Sequence, residues 1–190
     1  LAAVTNQYAG IFYGGPGAVK MENELIRWMC NLMGFPVGSL GNLTSGGSIA
    51  NLIAIVTARE AKQISCIQIP KQCIYLTTQV HHCVHKAIRI SGMSEAKIRL
   101  IPIDKSYRMS SQALEKQIEL DMNAGLTPFL VVASAGTTDT GAVDPLNEIA
   151  DLADQYNIWY HVDAAYGGFF IMSELKSHDN KSMKDLFKGI

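Results

Sequence analysis

The chain contains 190 residues, of which 48% are hydrophobic and 17% are charged, and its formal net charge is −1. This composition is typical of a soluble globular protein that can bury one sizeable core. The near-zero net charge argues against nucleic acid or an anionic membrane as a partner, and no apolar run approaches the roughly 18 residues of a membrane span.

Targeting signals and cysteine spacing give the expected compartment. Residues 1–6 lack the basic region and the following apolar core of a signal peptide. The four cysteines are scattered without paired spacing, which favours free thiols in a reducing cytosol. We therefore expect a cytoplasmic protein.

Predicted helices and strands alternate along most of the chain. Apolar spacing predicts a first helix over 19–33 that ends at Gly34, and a Gly/Ser-rich loop opens a second helix over about 49–62. Ser110 and Asp144 are the expected N-caps of two later helices. The further elements are predicted as strand 73–77, helix 81–90, strand 98–103, helix 110–123, strand 129–134, helix 145–156 and strand 158–162.

This alternation predicts an α/β fold with a mostly parallel sheet and helices on both faces. In such sheets the ligand binds outside the C-terminal ends of the strands. Polar residues follow three of the predicted strands, at 77–81, at 135–138 and at Asp163. We expect these three groups to meet at one crevice.

The loop 44–48, Thr-Ser-Gly-Gly-Ser, stands at the start of the second helix. Glycines followed by a hydroxyl suit an anion there, because free N–H groups and the helix dipole favour negative charge. The alternative is a simple N-cap with a flexible entry. The loop lacks the lysine of a P-loop and the glycine spacing of a dinucleotide fingerprint.

The sequence His-His-Cys-Val-His at 81–85 has three interpretations. His81 and His85 lie one helical turn apart, a spacing that can ligate zinc, but no acidic general base stands between them. Surface histidines at a polar helix start are the second interpretation. In the third, His81 stacks its ring on a flat cofactor.

Residues 161–168 read His-Val-Asp-Ala-Ala-Tyr-Gly-Gly and follow an apolar strand. A carboxylate at a buried strand end needs a cationic or hydrogen-bonding partner, and the small residues after it let a flat group approach. A protonated pyridine nitrogen would satisfy both conditions, as in enzymes that use pyridoxal phosphate (PLP). A structural N-cap and a magnesium ligand are the alternatives for Asp163, and a plain turn is the alternative for the hydroxyl-rich loop 134–141.

Together these motifs resemble the group II PLP-dependent amino-acid decarboxylases, which include the aromatic-L-amino-acid and glutamate decarboxylases. The resemblance covers nearly all of the chain. Ile49 departs from it, since glutamate is usual there. The similar parts are 44–51, 79–81, 136–138 and 161–168, with Asn6, Gln7, Pro16 and Glu22 before them.

The resemblance implies fold type I of the PLP-dependent transferases, with residues 1–190 forming part of the large PLP-binding domain. Of the implied site residues, His81 would stack on the pyridine ring near the substrate carboxylate, and Asp163 would pair with the ring nitrogen; these two are the implied catalytic residues. The implied cofactor-binding residues are Gly47 and Ser48 at the phosphate, His81, Thr138 against the cofactor, Asp163, and Ala165 beneath the ring. No metal is expected.

The activity implied by the resemblance is decarboxylation of an amino acid, a small-molecule substrate, to an amine and CO2 by a homodimer. The family's Schiff-base lysine is expected shortly after Ile190, and an N-terminal segment and a small C-terminal domain are expected outside the chain. We therefore expect an internal piece of a larger enzyme that is inactive by itself. The alternatives are another PLP-dependent lyase, an aldehyde synthase, a transaminase, a non-catalytic remnant domain, or a metal protein that uses His81, Cys83 and His85.

Overall fold

The computed structural model describes residues 4, 8, 10–176 and 180–190, and it divides into two compact units at Thr44 and Ser45. In the first unit, helix α1 (Pro16–Met33) starts with a proline, whose missing N–H costs nothing at that position. It ends at Gly34, which takes the left-handed conformation. Glu22 accepts a hydrogen bond from the Leu43 N–H (2.9 Å) within this unit. Asn6 and Gln7 lie outside the described residues.

The second unit alternates helices and strands, and each predicted element is present with ends that differ by at most three residues. Strand β2 is shorter than predicted, because Ile103 leaves the sheet and pairs with Met109 in an isolated bridge. The elements are α2 (Gly47–Ala61), β1 (Gln72–Leu76), α3 (His82–Ile90), β2 (Lys97–Leu100), α4 (Ser111–Asn123), β3 (Thr127–Ser134), α5 (Leu146–Gln155), β4 (Trp159–Asp163) and α6 (Met183–Leu186).

The four strands form one parallel sheet in the order β2-β1-β3-β4. Successive side chains of a strand point to opposite faces. Ile74 and Leu76 of β1 therefore pack in the core cluster with residues of α2 and α3, whereas Tyr75 donates a hydrogen bond to Asp121 of α4 (3.1 Å). Helices cover both faces, which confirms the predicted architecture.

The same alternation in β4 decides which side chains face α2. Tyr160 donates a hydrogen bond to the Leu146 carbonyl at the start of α5 (3.0 Å), so it points to the opposite face. His161 and Asp163, one residue to either side of Val162, both reach Asn51 of α2. The strand thus presents an imidazole and a carboxylate to one helix.

Two further predictions from the sequence concern the cysteines and membrane-spanning helices. All four cysteines are free thiols, with Cys73 and Cys83 buried. Burial raises the pKa of Cys73 to about 11, which keeps that thiol protonated. Among the residues that the structure describes, no helix is long and apolar enough to cross a bilayer.

Asp144 does not cap α5, contrary to the prediction. Its buried carboxylate accepts hydrogen bonds from the backbone N–H groups of Met109 and Ser134, both at 2.7 Å. The N-cap position of α5 is instead Pro145, which has no side-chain capping bond. Asp144 thus ties the end of β3 to the segment before α4. Ser110 caps α4 as predicted, by accepting from the Ala113 N–H (3.3 Å).

We predict that Asp144→Ala destabilises the protein strongly, because it leaves two buried N–H groups without an acceptor. Each such group costs about 1–3 kcal/mol, so the free energy of unfolding should fall by roughly 2–6 kcal/mol. Urea unfolding of the full-length protein measures this. Asp154→Ala on the exposed side of α5 is the control and should change stability by less than about 0.5 kcal/mol. Equal stability of the two variants would show that Asp144 is not a structural tie.

Candidate active site

A cavity of about 290 Å³ lies at the C-terminal end of the sheet. Its walls come from the start of α2, the segment between β1 and α3, the loop after β3, and the end of β4. This is the convergence of strand ends that the sequence predicts, and it includes all six predicted cofactor-binding residues. The lining residues are Gly47, Ser48, Asn51, Gln79, His81, Cys83, Ser134, Gly136, Thr137, Thr138, Asp163, Ala165 and Tyr166.

The first turn of α2 forms one wall. Gly46 precedes the helix with a φ of 147°, a conformation that residues with a side chain rarely adopt. Gly47 and Ser48 consequently fall in the first turn, where helical N–H groups have no acceptor within the helix. A Cβ atom at Gly47 would lie 3.2 Å from the Cβ of Ala165, so the helix start packs closely against the residues after β4.

Asp163 is the last residue of β4, and both of its carboxylate oxygens accept hydrogen bonds. Oδ1 accepts from the Ala165 N–H, and Oδ2 accepts from Nδ2 of Asn51, each at 3.1 Å. Within the part of the chain that the structure describes, no lysine or arginine forms an ion pair with this carboxylate. Its negative charge is therefore held in place without being neutralised.

His81 lies at the N-cap position of α3, where its Nδ1 accepts a hydrogen bond from the Cys83 N–H (3.3 Å). An accepting Nδ1 carries no proton, so in the neutral ring the proton is on Nε2. The ring centroid lies 4.0 Å from that of His82, whose pKa is lowered mainly by the charge of His81. The cap fixes the tautomer and orientation of His81 as it lines the cavity.

The zinc interpretation of 81–85 finds no cluster of ligands. Cys83 is buried beside Asn51, with its Sγ 3.6 Å from Nδ2, whereas His85 is exposed. Burial, followed by the charge of Asp163, raises the pKa of the Cys83 thiol. The described residues contain no group of three or more His, Cys, Asp or Glu side chains close enough to hold a metal ion.

The loop after β3 meets the loop after β4 through two glycines. Gly136 has a φ of 97°, and a Cβ atom there would lie 2.9 Å from the Cα of Gly167. A Cβ atom at Gly167 would collide with the carbonyl oxygen of Ala135. Thr137 is buried and bonds within its own loop to Thr140 (2.7 Å), whereas Thr138 is exposed and lines the cavity.

Asn51 and Gln79 are among the lining residues that were not individually predicted as site residues. Asn51 is a buried amide on a helix whose next residues, 52–56, are apolar, and it lies one turn after Gly47. That spacing could have drawn attention to it. Oε1 of Gln79 is buried without a hydrogen-bond partner among the described residues. A buried acceptor of this kind can take a hydrogen bond from a water or from a ligand in the cavity.

Comparison with known proteins identifies relatives of the chain. The pyridoxal-dependent decarboxylase conserved domain matches residues 2–186. The aromatic-L-amino-acid decarboxylase of Bacillus atrophaeus is 40% identical over 174 residues, which are 92% of this chain and 36% of that protein.

Two solved structures share the fold. The glutamate decarboxylase domain of a Vibrio parahaemolyticus diaminobutyrate-pyruvate transaminase and L-2,4-diaminobutyrate decarboxylase superposes with a TM-score of 0.86 at 31% identity, over 98% of this chain and 41% of that chain. Oryza sativa TDC with PLP and tryptamine gives 0.84 at 28% identity, over 99% and 42%.

The chain thus spans little more than a third of the length of the curated relatives it matches. The order of the motifs, the parallel sheet and the position of Asp163 at the end of β4 agree with this match. The chain belongs to the pyridoxal-dependent decarboxylase family.

Proposed function

We propose that this chain forms part of the large PLP-binding domain of an enzyme that decarboxylates an amino acid to an amine and CO2. The observation that carries the proposal is the position of Asp163, whose carboxylate is fixed at the cavity without a cationic partner among the described residues. Because the chain spans about 36% of its relatives, the activity is that of the full-length protein.

The residues that line the cavity suit the charged groups and the flat ring of PLP. PLP is the cofactor of this family, and its bound ring accepts the electrons of the bond that breaks when CO2 leaves. Asp163 would pair with the ring nitrogen and hold a proton on it. At the opposite wall, the first turn of α2 with the Ser48 hydroxyl would hold the phosphate, because helix N-termini bind anions. The small side chain of Ala165 leaves room for a flat ring.

His81 has the orientation needed to position the ring and the substrate. Its Nδ1 is occupied by the N-cap bond, so the proton on Nε2 is the one available as a donor. Stacked on the cofactor, the imidazole would restrict the ring to one plane and guide the substrate carboxylate. Thr138 would contact the cofactor at the cavity, and Oε1 of Gln79 would accept a hydrogen bond from the bound molecules.

We also propose a homodimer in the cytoplasm. The free, partly buried cysteines support a reducing compartment. The homodimer follows from the family resemblance. Sedimentation of the full-length protein tests the oligomeric state.

We predict that Asp163→Ala removes decarboxylation while the protein still folds. Loss of the ring-nitrogen partner should lower kcat by about 1000-fold or more, equivalent to roughly 4 kcal/mol of transition-state stabilisation. Release of CO2 and amine from candidate amino acids measures this in the full-length protein, and detection of aldehyde or keto acid identifies a synthase or a transaminase. Asp154→Ala is the matched control. Turnover within tenfold of wild type in Asp163→Ala would rule out the proposed role.

We predict that Ala165→Leu weakens PLP binding, because the longer side chain enters the cavity opposite Gly47. Overpacking costs about 1–3 kcal/mol, which corresponds to roughly a 5-fold to 150-fold higher Kd. Titration of the apoprotein with PLP, followed by absorbance, gives the Kd, and thermal unfolding verifies the fold. An unchanged Kd would show that Ala165 does not lie against the cofactor.

A further inference from the structure

The side-chain amide of Asn51 on α2 forms hydrogen bonds with residues of α2 and of β4. Its Nδ2 donates to the Gly47 carbonyl (2.9 Å) and to Oδ2 of Asp163 (3.1 Å), and its Oδ1 lies 2.7 Å from Nε2 of His161. We propose that Asn51 and His161 are a positioning pair that fixes the Asp163 carboxylate toward the PLP ring nitrogen without neutralising it. This inference rests on the proposed function.

The chemistry of its partners fixes the orientation of the Asn51 amide. The Gly47 carbonyl and the Asp163 carboxylate can only accept hydrogen bonds, so the amide nitrogen must face both of them. The amide oxygen must then face His161, and it too can only accept. Nε2 of His161 therefore carries the proton and donates it.

His161 is a neutral donor in this arrangement. Its imidazole is partly buried, and desolvation lowers its pKa, although the nearby charge of Asp163 acts in the opposite direction. Cys83, which faces Asn51 from α3, is a protonated thiol for the same reason. The groups behind Asp163 are thus an amide, a neutral imidazole and a thiol. None of them supplies a positive charge that would compete with a protonated ring for the carboxylate.

The pair also connects the two ends of the cofactor site. Asn51 is held by the Gly47 carbonyl in the first turn of α2, where the phosphate would bind, and it holds Asp163 at the other wall. Oδ1 of Asp163 accepts a hydrogen bond from the Ala165 N–H, and Oδ2 accepts one from Asn51. Rotation of the Asp163 carboxylate would break at least one of these hydrogen bonds to a charged group. A displaced Asn51 would consequently weaken the cofactor site at both ends.

The test compares four variants of the full-length protein with wild type. Asn51→Leu removes the amide, and Asn147→Leu on the exposed side of α5 is the matched control. His161→Leu removes the neutral donor. His161→Gln places an amide N–H at a similar distance from the backbone, and this group donates a hydrogen bond but cannot become charged. For each protein we would measure the Kd for PLP and the pH at which the absorbance of bound PLP changes, with thermal unfolding to verify the fold.

We expect Asn51→Leu and His161→Leu to raise the Kd by about tenfold to a hundredfold. The absorbance transition should move to lower pH by about one unit, because a poorly placed Asp163 holds the ring proton less firmly. His161→Gln should recover most of both losses, and Asn147→Leu should match wild type.

Two results would overturn the inference. An unchanged absorbance transition in a folded Asn51→Leu protein would give Asn51 a structural role alone. If the Asn51→Leu protein does not fold, the two His161 variants provide the test. An equal Kd and an equal absorbance transition in His161→Gln and His161→Leu would show that the neutral donor has no effect. Absence of PLP binding by wild type is a different result, because it would contradict the proposed function itself.

Discussion

The structure depends on the placement of one negative charge at the end of a parallel strand. Removing a carboxylate from water costs several kcal/mol unless hydrogen bonds or an opposite charge offset the loss. Asp163 accepts two hydrogen bonds from this chain and forms no ion pair with a lysine or arginine of the described residues. In the proposed function, the protonated ring nitrogen of PLP would supply the cation that this carboxylate lacks.

Parallel topology makes that placement possible. Because β1, β3 and β4 run in the same direction, the segments after them reach the same end of the sheet, and the first turn of α2 faces them. The glycine pair at 136 and 167 lets two of these segments touch, which leaves the remaining space as one cavity. The two predicted catalytic residues, His81 and Asp163, are far apart in sequence but line the same cavity.

The sequence predicted what depends on local spacing. Helical periodicity, strand runs and glycine stops predicted the elements from α2 to β4, and the order of motifs indicated the family. Asp144 was assigned wrongly, because an aspartate before Pro145 favours a cap locally while its actual partners are the N–H groups of Met109 and Ser134. The role of Asn51 was missed for a similar reason, since its contact with His161 joins residues 110 positions apart.

Strand β4, which carries Asp163, lies at the margin of the four-stranded sheet and pairs only with β3 among the described strands. Its five residues are all partly accessible. A strand with one unpaired side is a template for addition of another strand, and natural proteins cover or interrupt such edges. Expressed by itself, the chain would therefore present the strand that holds its central carboxylate to self-association, so that loss of solubility and loss of the site would occur together.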